Sequence, residues 1–222
     1  MEVTLMPSVL AFGAHPDDVE IYCLGLLLKL KSLGWRVGWV VATAGQAGLS
    51  PDAKPDERLV ELQLAGESVG VTPICLSLMD GELTDTPVSQ VAVRTALASF
   101  KPDLVITHHP DDYHSDHRAL SQLVRQACGL KSALIYADTM LGLGCCPDFS
   151  VDISDHAAAK HQALSLHTSQ RPDLFSDNLA VWEKFRAIQT LQKNVSRAEA
   201  YCFADSYHRG KVQRLLDAVI IR

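Results

Sequence analysis

The chain has 222 residues, of which 47% are hydrophobic and 21% are charged, and its formal net charge is −6. This composition is typical of a globular protein that buries a core without disulfides or a structural metal, so a bound metal would serve function rather than folding. The acidic balance and the absence of a basic run exclude the electrostatic pattern of a nucleic-acid-binding protein, so we expect no nucleic-acid partner.

Short apolar segments rich in β-branched residues alternate along the chain with longer amphipathic segments. The short segments predict strands at residues 8–13, 37–43, 74–78, 104–107, 133–137 and 149–153. The longer segments predict helices at residues 21–33, 56–69, 88–100, 115–130, 156–167, 179–192 and 210–220, and polar segments predict loops at residues 46–55 and 168–177. This order predicts an α/β fold in a single domain over residues 1–222, with a Rossmann-like, mostly parallel β-sheet flanked by helices.

Two polar clusters follow predicted strands of this sheet. Residues 14–20 (AHPDDVE) follow the first strand, and residues 108–118 (HHPDDYHSDHR) follow the fourth. In open α/β sheets, ligands bind outside the carboxyl ends of the strands. The two clusters are therefore the predicted site of function. His108 and His109 end the fourth strand, and the sequence leaves open whether they line the site or have a structural role.

The residue types in the two clusters match the needs of a zinc hydrolase. Such a site uses three protein ligands, often two histidines and a carboxylate, and a separate carboxylate that accepts a proton from water. His15 and Asp18 are three residues apart, so a turn beyond the strand would point both at one ion while Asp17 projects elsewhere. His114 and His117 are also three residues apart, which places them on one face of the predicted helix.

Helix capping is the alternative interpretation of the same residues. Asp17 or Asp18, and likewise Asp112 or Ser115, are residue types that accept backbone N–H bonds at the start of a helix. Capping alone explains the clusters poorly, because carboxylates that have no cation or donor beside them repel one another. The concentration of histidines and aspartates at two strand ends therefore favours a metal site.

The two clusters also resemble the signatures of a known family. Residues 14–20 and 114–117 (HSDH) resemble the A-H-P-D-D-x-E and H-x-D-H signatures of the PIG-L/LmbE family of zinc-dependent N-deacetylases. Weaker similarity extends through residues 57–70, 151–170 and 198–203, and the bacillithiol-type GlcNAc-malate deacetylases are the members that the chain resembles most. The resemblance implies a zinc-dependent hydrolase that removes an N-acetyl group from a small N-acetylglucosamine-type conjugate.

The family's central site residues fall in the two clusters. The resemblance implies that His15, Asp18 and His117 are the Zn²⁺ ligands and that Asp17 is the general base. General chemistry agrees with this division, because zinc lowers the pKa of a bound water to ~7, where a nearby carboxylate can complete its deprotonation.

Three further residues have roles implied by the resemblance. His114 would stabilise or protonate the tetrahedral intermediate, and Asp116 would orient a neighbouring imidazole. Arg58 matches an arginine that binds substrate in relatives. The alternative for Arg58 is an exposed helix arginine paired with Glu61 or Asp56, since surface pairs of this kind are common and weak.

The sequence leaves alternative functions open. The first is an amidase that cleaves a different amide, such as a thiol conjugate of an amino sugar. A nucleotide-binding oxidoreductase is disfavoured because no G-x-G-x-x-G follows the first strand, and a non-catalytic metal-binding protein would not need Asp17. Gln46 stands where many family members have Glu, a change that bears on substrate contacts and leaves the zinc chemistry intact.

The cysteines and the N-terminal residues indicate the cellular compartment in which the protein is expected. The six cysteines form no C-x-x-C pair and are expected to be free thiols in a reducing compartment, and nothing beside Cys145 and Cys146 in the sequence would lower a thiol pKa. Residues 1–5 lack the positive region of a secretory signal, and residues 37–51 fall short of the ~20 apolar residues that span a bilayer. We expect a cytoplasmic protein with no membrane partner, and the sequence leaves open a homo-oligomer and iron in place of zinc.

Overall fold

The computed structural model describes residues 6–221, so the expectation about residues 1–5 lies outside the described part of the chain. The strands are β1 Ser8–Gly13, β2 Arg36–Thr43, β3 Ile74–Leu78, β4 Leu104–Thr107, β5 Ala133–Ala137, β6 Phe149–Asp152, β7 Ala198–Phe203 and β8 Ile220–Ile221. The helices are α1 Asp18–Tyr22, α2 Leu24–Ser32, α3 Glu57–Val69, α4 Pro87–Phe100, α5 Ser115–Cys128, α6 Ala157–Leu164, α7 Pro172–Gln189 and α8 Ser206–Leu216. No helix within residues 6–221 combines the length and the apolar composition that crossing a bilayer requires.

The strands form one sheet in the order β3-β2-β1-β4-β5-β7-β6-β8. The first five strands of this order pair in parallel, and the last three join by antiparallel pairing. The predicted α/β fold with a mostly parallel sheet is therefore confirmed. The strand order reverses between β1 and β4, and in α/β sheets this reversal opens a crevice at the carboxyl ends of the two strands. The two polar clusters of the sequence follow these two strands.

Apolar side chains of the sheet divide between two cores, one on each face. All six residues of β1 are buried, and successive side chains point to opposite faces of a sheet. Val9 and Ala11 belong to one apolar cluster, and Leu10 and Phe12 belong to the other, which includes Leu120 of α5. Helices therefore cover both faces, as the near-continuous hydrophobic runs of the central strands predict.

The sequence pattern predicts neither β7 nor β8, and it predicts one helix where the structure has two. The charged Glu199 interrupts the apolar segment of residues 198–203, yet Glu199 is buried at 5% exposure. The helix predicted at residues 210–220 is wrong beyond Leu216, where α8 ends, and β8 begins at Ile220. The predicted helix at residues 21–33 begins earlier, at Asp18, and breaks at Cys23, whose φ of −152° is not helical. The break separates α1, which lies at the polar cluster, from α2, which packs in the core.

Two later helices also begin before their predicted positions. The loop predicted at residues 168–177 is wrong from Pro172 onward, because α7 begins there. Proline restricts the residue before it, here Arg171 with φ of 52°, but is itself well suited to the first position of a helix. The last helix begins at Ser206 rather than Gly210, because Asp205 caps it by accepting the His208 N–H at 2.9 Å.

Buried charges join β7 to three helices. Glu199 accepts the backbone N–H groups of Gly25 and Leu26 at 2.9 and 2.8 Å, and so satisfies the start of α2. Lys160 of α6 donates to Glu199 at 2.7 Å, and its Nζ lies 3.0 Å from a carboxylate oxygen of Glu183 on α7. Lys160 is fully buried, so this lysine neutralises two carboxylates that have little access to water.

Replacing Lys160 tests the contribution of this network to stability. We expect Lys160→Ala to lower the free energy of unfolding by about 3–5 kcal/mol, because two buried carboxylates would lose their cation. Urea unfolding followed by circular dichroism measures the change. Lys193→Ala, at an exposed lysine, is the control and should change the value by less than about 0.5 kcal/mol. A loss for Lys160→Ala no larger than that of the control would contradict this account.

Candidate active site

The turn after β1 separates two adjacent carboxylates. Ala14 is anchored to β2, since its carbonyl oxygen accepts the Thr43 N–H at 2.9 Å and the Thr43 hydroxyl at 3.0 Å. Asp17 then adopts a φ of 108°, in the left-handed region that residues other than glycine rarely enter. This strained conformation points the carboxylates of Asp17 and Asp18 at different partners.

Arg58 holds the Asp17 side of this turn. Its guanidinium donates to Asp17 Oδ2 at 3.0 Å and to the carbonyl oxygens of Pro16 at 2.5 Å and Gly45 at 3.1 Å. A Cβ at position 45 would lie 2.6 Å from the Arg58 guanidinium, so this approach requires the glycine. Burial raises the pKa of Asp17 to about 7, and Arg58 opposes that rise.

The alternative of an exposed Arg58 is therefore wrong. Arg58 is 5% exposed, and the sequence did not reveal its burial because arginine at the start of a helix usually faces water. The Glu61 carboxylate accepts hydrogen bonds from Thr168 and Ser169 instead. Asp56 precedes α3 and is exposed.

Asp18 lies between the two histidines that the resemblance pairs with it. One Asp18 carboxylate oxygen, Oδ2, is 3.4 Å from His15 Nδ1, and the other, Oδ1, is 3.3 Å from His117 Nε2. Burial would raise the pKa of Asp18, but His117 and His108 hold it well below its usual range. His108 Nε2 lies 3.2 Å from Oδ2 and accepts the Ala14 N–H at 3.0 Å.

Carboxylates also face the outer nitrogen of each of these imidazoles. His15 Nε2 lies 3.2 Å from Asp80 Oδ1 and 3.3 Å from Asp116 Oδ2, and His117 Nδ1 lies 3.1 Å from Asp112 Oδ1. Carboxylates in this position fix the tautomer and the orientation of metal-binding histidines. Asp80 follows β3, far from both motifs in the sequence, which gave no signal for it.

His114 caps α5 through its side chain. Its Nδ1 accepts the Asp116 N–H at 3.2 Å, and Asp112 in turn accepts the His114 N–H at 2.9 Å. An accepting Nδ1 is unprotonated, so the ring proton of the neutral form lies on Nε2. Burial, followed by the charges of His117 and His15, lowers the pKa of His114 and favours this neutral form.

The helix-capping alternative is wrong for the four residues considered. Asp17 occupies the N-cap of α1 without a side-chain capping bond, and Asp18 is the first residue of that helix. His114, rather than Asp112 or Ser115, supplies the side-chain cap of α5.

The geometry of these donors fits a metal ion. Ligand atoms of a tetrahedral zinc site lie roughly 3.3–3.6 Å apart, because zinc–nitrogen and zinc–oxygen bonds are about 2.0–2.2 Å long. The 3.4 Å from His15 Nδ1 to Asp18 Oδ2 and the 3.3 Å from His117 Nε2 to Asp18 Oδ1 are close to this separation, with each histidine facing a different carboxylate oxygen. Groups of three ligand atoms within 4.8 Å of one another include His15, His114 and His117, and Asp18, His108 and His117. Burial opposes protonation of both imidazoles, yet the surrounding carboxylates raise the pKa of His15 to about 11 and that of His117 to about 9. The cluster therefore favours positive charge, which a divalent cation would supply.

These side chains line a pocket of about 310 Å³. Its lining includes all but one of the predicted site residues, namely His15, Asp17, Asp18, Arg58, His114 and His117. Asp116 is not part of the wall and lies behind His15. Tyr22 lines the pocket as well, and its buried hydroxyl has no hydrogen-bond partner among the described residues. Gln46 is exposed, while the two residues that follow it, Ala47 and Gly48, form part of the wall.

Residues 10–128 match the family model described as PIG-L: GlcNAc-PI de-N-acetylase. Among curated proteins, the diacetylchitobiose deacetylase of Thermococcus kodakarensis is 28% identical over 201 residues, which cover 80% of this chain and 74% of that relative.

Solved structures with the same architecture include proteins of different function. The conserved protein TT1542 from Thermus thermophilus has a TM-score of 0.79 at 25% identity, with 90% of this chain and 96% of that chain covered. GalB, the 4-carboxy-2-hydroxymuconate hydratase of Pseudomonas putida, has a TM-score of 0.79 at 18% identity, with 90% and 97% covered. Because GalB is a hydratase, the fold alone does not identify the reaction, and the side chains of the site must do so.

Asp80 offers a test of the site's support for the metal. We expect Asp80→Asn to weaken metal affinity by about 10–100-fold, because the outer nitrogen of His15 would lose a carboxylate partner. Competition with a chromogenic chelator measures the affinity. Asp155→Asn, at an exposed carboxylate, should bind metal as the wild type does. Equal affinity in the Asp80 variant and this control would remove Asp80 from the site.

Proposed function

The chain belongs to the PIG-L family of N-deacetylases, and from this membership we propose that it is a zinc-dependent hydrolase that removes an N-acetyl group from a small N-acetylglucosamine-type conjugate. The position of Asp17 is the main support: this carboxylate lines the pocket beside the metal-binding cluster, yet Arg58 holds it apart from that cluster. A purely metal-binding site does not need a second carboxylate at this place. We also propose that residues 1–222 act as one domain in the cytoplasm.

We assign the metal to His15, Asp18 and His117, on the distances and charges of these donors. Zn²⁺ bound there would supply Lewis-acid activation of a water molecule and of the amide carbonyl. The protein's part is to keep both imidazoles in the tautomer that points a lone pair at the ion. Asp80 and Asp116 at His15, and Asp112 at His117, are placed to accept the opposite ring N–H.

Asp17 is the proposed general base. Arg58 fixes one of its oxygens at 3.0 Å, so the carboxylate meets the attacking water in a defined orientation. The same contact prevents Asp17 from turning towards the metal as a fourth protein ligand. Proton transfer from water to Asp17 would generate the hydroxide that attacks the amide carbonyl carbon, and the protonated Asp17 could then return that proton to the amine as the C–N bond breaks.

His114 is the proposed donor to the tetrahedral intermediate. Its Nδ1 is engaged by the Asp116 N–H, so the Nε2–H of the neutral ring is the group free to donate a hydrogen bond to the negative charge that develops on the carbonyl oxygen.

The pocket wall supports a sugar-sized substrate. Its volume of about 310 Å³ lies at the lower end of small-molecule sites. Arg58 also lines the pocket, so the substrate-binding role implied for it is compatible with its hold on Asp17. The named substrate of the Thermococcus relative, diacetylchitobiose, is an N-acetylated sugar, which supports the same class here.

Replacing Asp17 separates catalysis from metal binding. We expect Asp17→Asn to lower kcat by about 10²–10⁴-fold, because the water would lose its proton acceptor. Metal content, measured by inductively coupled plasma mass spectrometry, should stay that of the wild type. Asp52→Asn, at an exposed carboxylate, is the matched control and should keep full activity. An Asp17 variant with wild-type kcat would exclude the general-base role.

A substrate panel tests the reaction class. We expect acetate release from N-acetylglucosamine conjugates with a higher kcat/KM than from N-acetyl amino acids, since the latter lack the sugar that would fill the pocket. An enzymatic acetate assay measures both. If a cysteinyl amide of glucosamine is cleaved while no acetate is released from the conjugates, the amidase alternative replaces the deacetylase proposal.

A further inference from the structure

A second cluster of metal-binding side chains lies outside the catalytic pocket. It consists of His109, which follows β4, Cys145, which lies in the loop after β5, and Cys202 of β7. One ligand atom from each lies within 4.8 Å of the others. The two sulfur atoms are 3.4 Å apart. The proposed catalytic mechanism uses none of these side chains.

The loop that presents Cys145 has a defined backbone path. Gly142 and Gly144 have φ values of 71° and 73°, in the region that favours glycine. A Cβ on Gly144 would lie 3.6 Å from the carbonyl oxygen of Asp111, so the loop packs against the segment that contains His109. This packing brings three segments that are far apart in sequence to one point.

The two sulfur atoms lie within hydrogen-bonding distance of each other. A hydrogen bond from Cys145 lowers the pKa of the Cys202 thiol to about 6. Burial opposes this change, and His109 adds to it. The same pairing raises the pKa of Cys145. The thiol whose pKa is lowered is therefore that of Cys202 on β7, which the fold brings to Cys145 and to His109 at the end of β4. A thiolate, not a thiol, is the form of cysteine that binds metals.

We propose that His109, Cys145 and Cys202 form a second metal site, which binds a thiophilic divalent cation such as Zn²⁺ and ties the loop at residues 142–147 to β7. Two thiolates and one imidazole are ligand types that Zn²⁺ prefers, and a water molecule would complete a four-coordinate site. Two cysteine thiolates also neutralise the charge of the ion. Cys202 is 8% exposed and the His109 side chain 12% exposed, so the cluster is sheltered from bulk water.

The separation of the sulfur atoms favours a metal over a disulfide. A disulfide needs about 2.05 Å between the sulfurs, whereas two thiolates on a tetrahedral zinc ion lie roughly 3.8 Å apart with bonds of 2.3 Å. The observed 3.4 Å lies nearer the second value. A disulfide would also leave the position of His109 unexplained.

Coordination requires one change at His109. Its Nδ1 now accepts the Asp111 N–H at 3.1 Å, so Nε2 is the nitrogen left for the ion. Nε2 binds a metal only when Nδ1 carries the proton. A protonated Nδ1 would displace the Asp111 N–H, and the Asp111 carboxylate, whose Oδ2 lies 4.0 Å from Nδ1, would accept the new ring N–H in its place. Carboxylates commonly support metal-binding histidines in this manner.

Cobalt substitution distinguishes this site from the catalytic one. Thiolate ligands give bound Co²⁺ an intense sulfur-to-metal charge-transfer absorption in the near ultraviolet, and the nitrogen and oxygen ligands of the catalytic site do not. We expect the full-length, metal-free, reduced protein to bind about two equivalents of Co²⁺ and to develop this absorption. Cys145→Ser and Cys202→Ser should each abolish the charge-transfer band and keep the other equivalent.

Cys146→Ser is the matched control, since Cys146 is exposed and its sulfur is not part of the cluster. It should keep the band at wild-type intensity. Cys145 is only partly buried, so its variant serves even if Cys202→Ser does not fold. The absence of a charge-transfer band in the reduced wild type, or a band unchanged by Cys145→Ser, would overturn the proposal. A Cys145–Cys202 disulfide that forms in air and, once reduced, gives no cobalt band would overturn it in favour of a redox pair.

Discussion

The contact between Arg58 and the turn after β1 is the interaction on which the catalytic pocket depends. Two neighbouring carboxylates in one turn repel each other, and the left-handed conformation of Asp17 costs on the order of 1–3 kcal/mol. Arg58 offsets both effects, because its guanidinium binds the Asp17 carboxylate and two carbonyl oxygens of the surrounding backbone. As a result, of the two carboxylates in this turn, Asp18 contacts His15 and His117 and Asp17 contacts Arg58. A motif of two identical residues thereby acquires two different environments, one among imidazoles and one beside a guanidinium.

Sheet topology explains why the rest of the site assembles around this turn. The strand order reverses between β1 and β4, so the segments after these strands lie side by side and both project into one crevice. β3 lies at the edge of the sheet, and the segment after it reaches across to bring Asp80 to His15. His15 thus contacts carboxylates from two other segments, Asp80 and Asp116, whereas His117 contacts Asp112 from the loop just before its own helix. The site therefore combines supports from distant parts of the fold with one from its own segment.

Features that depend on a local residue pattern can be predicted from the sequence. Features that depend on contacts between distant residues are seen only in the structure. The β1 and β4 motifs could be located from strand patterns and from spacing, since each lies within a few residues of its strand. Asp80, buried Arg58 and the strand that contains Glu199 could not, because their environments are created by partners many residues away. Glu199 is informative: a carboxylate in an apolar run weakens a strand prediction, yet Lys160 and the start of α2 neutralise it once the chain is folded.

The fold tolerates a strained and charged site because its stability comes from other parts of the molecule. The apolar clusters on both faces of the sheet, and the Lys160 network on the side of α2, α6 and α7, involve none of the proposed metal ligands. Stability is therefore supplied largely by parts of the molecule that do no chemistry. Repulsion among the four carboxylates around His15 and His117 would destabilise a small protein whose core included them. Here they are concentrated at one edge of a large sheet, where a bound cation would offset their repulsion and part of the formal charge of −6.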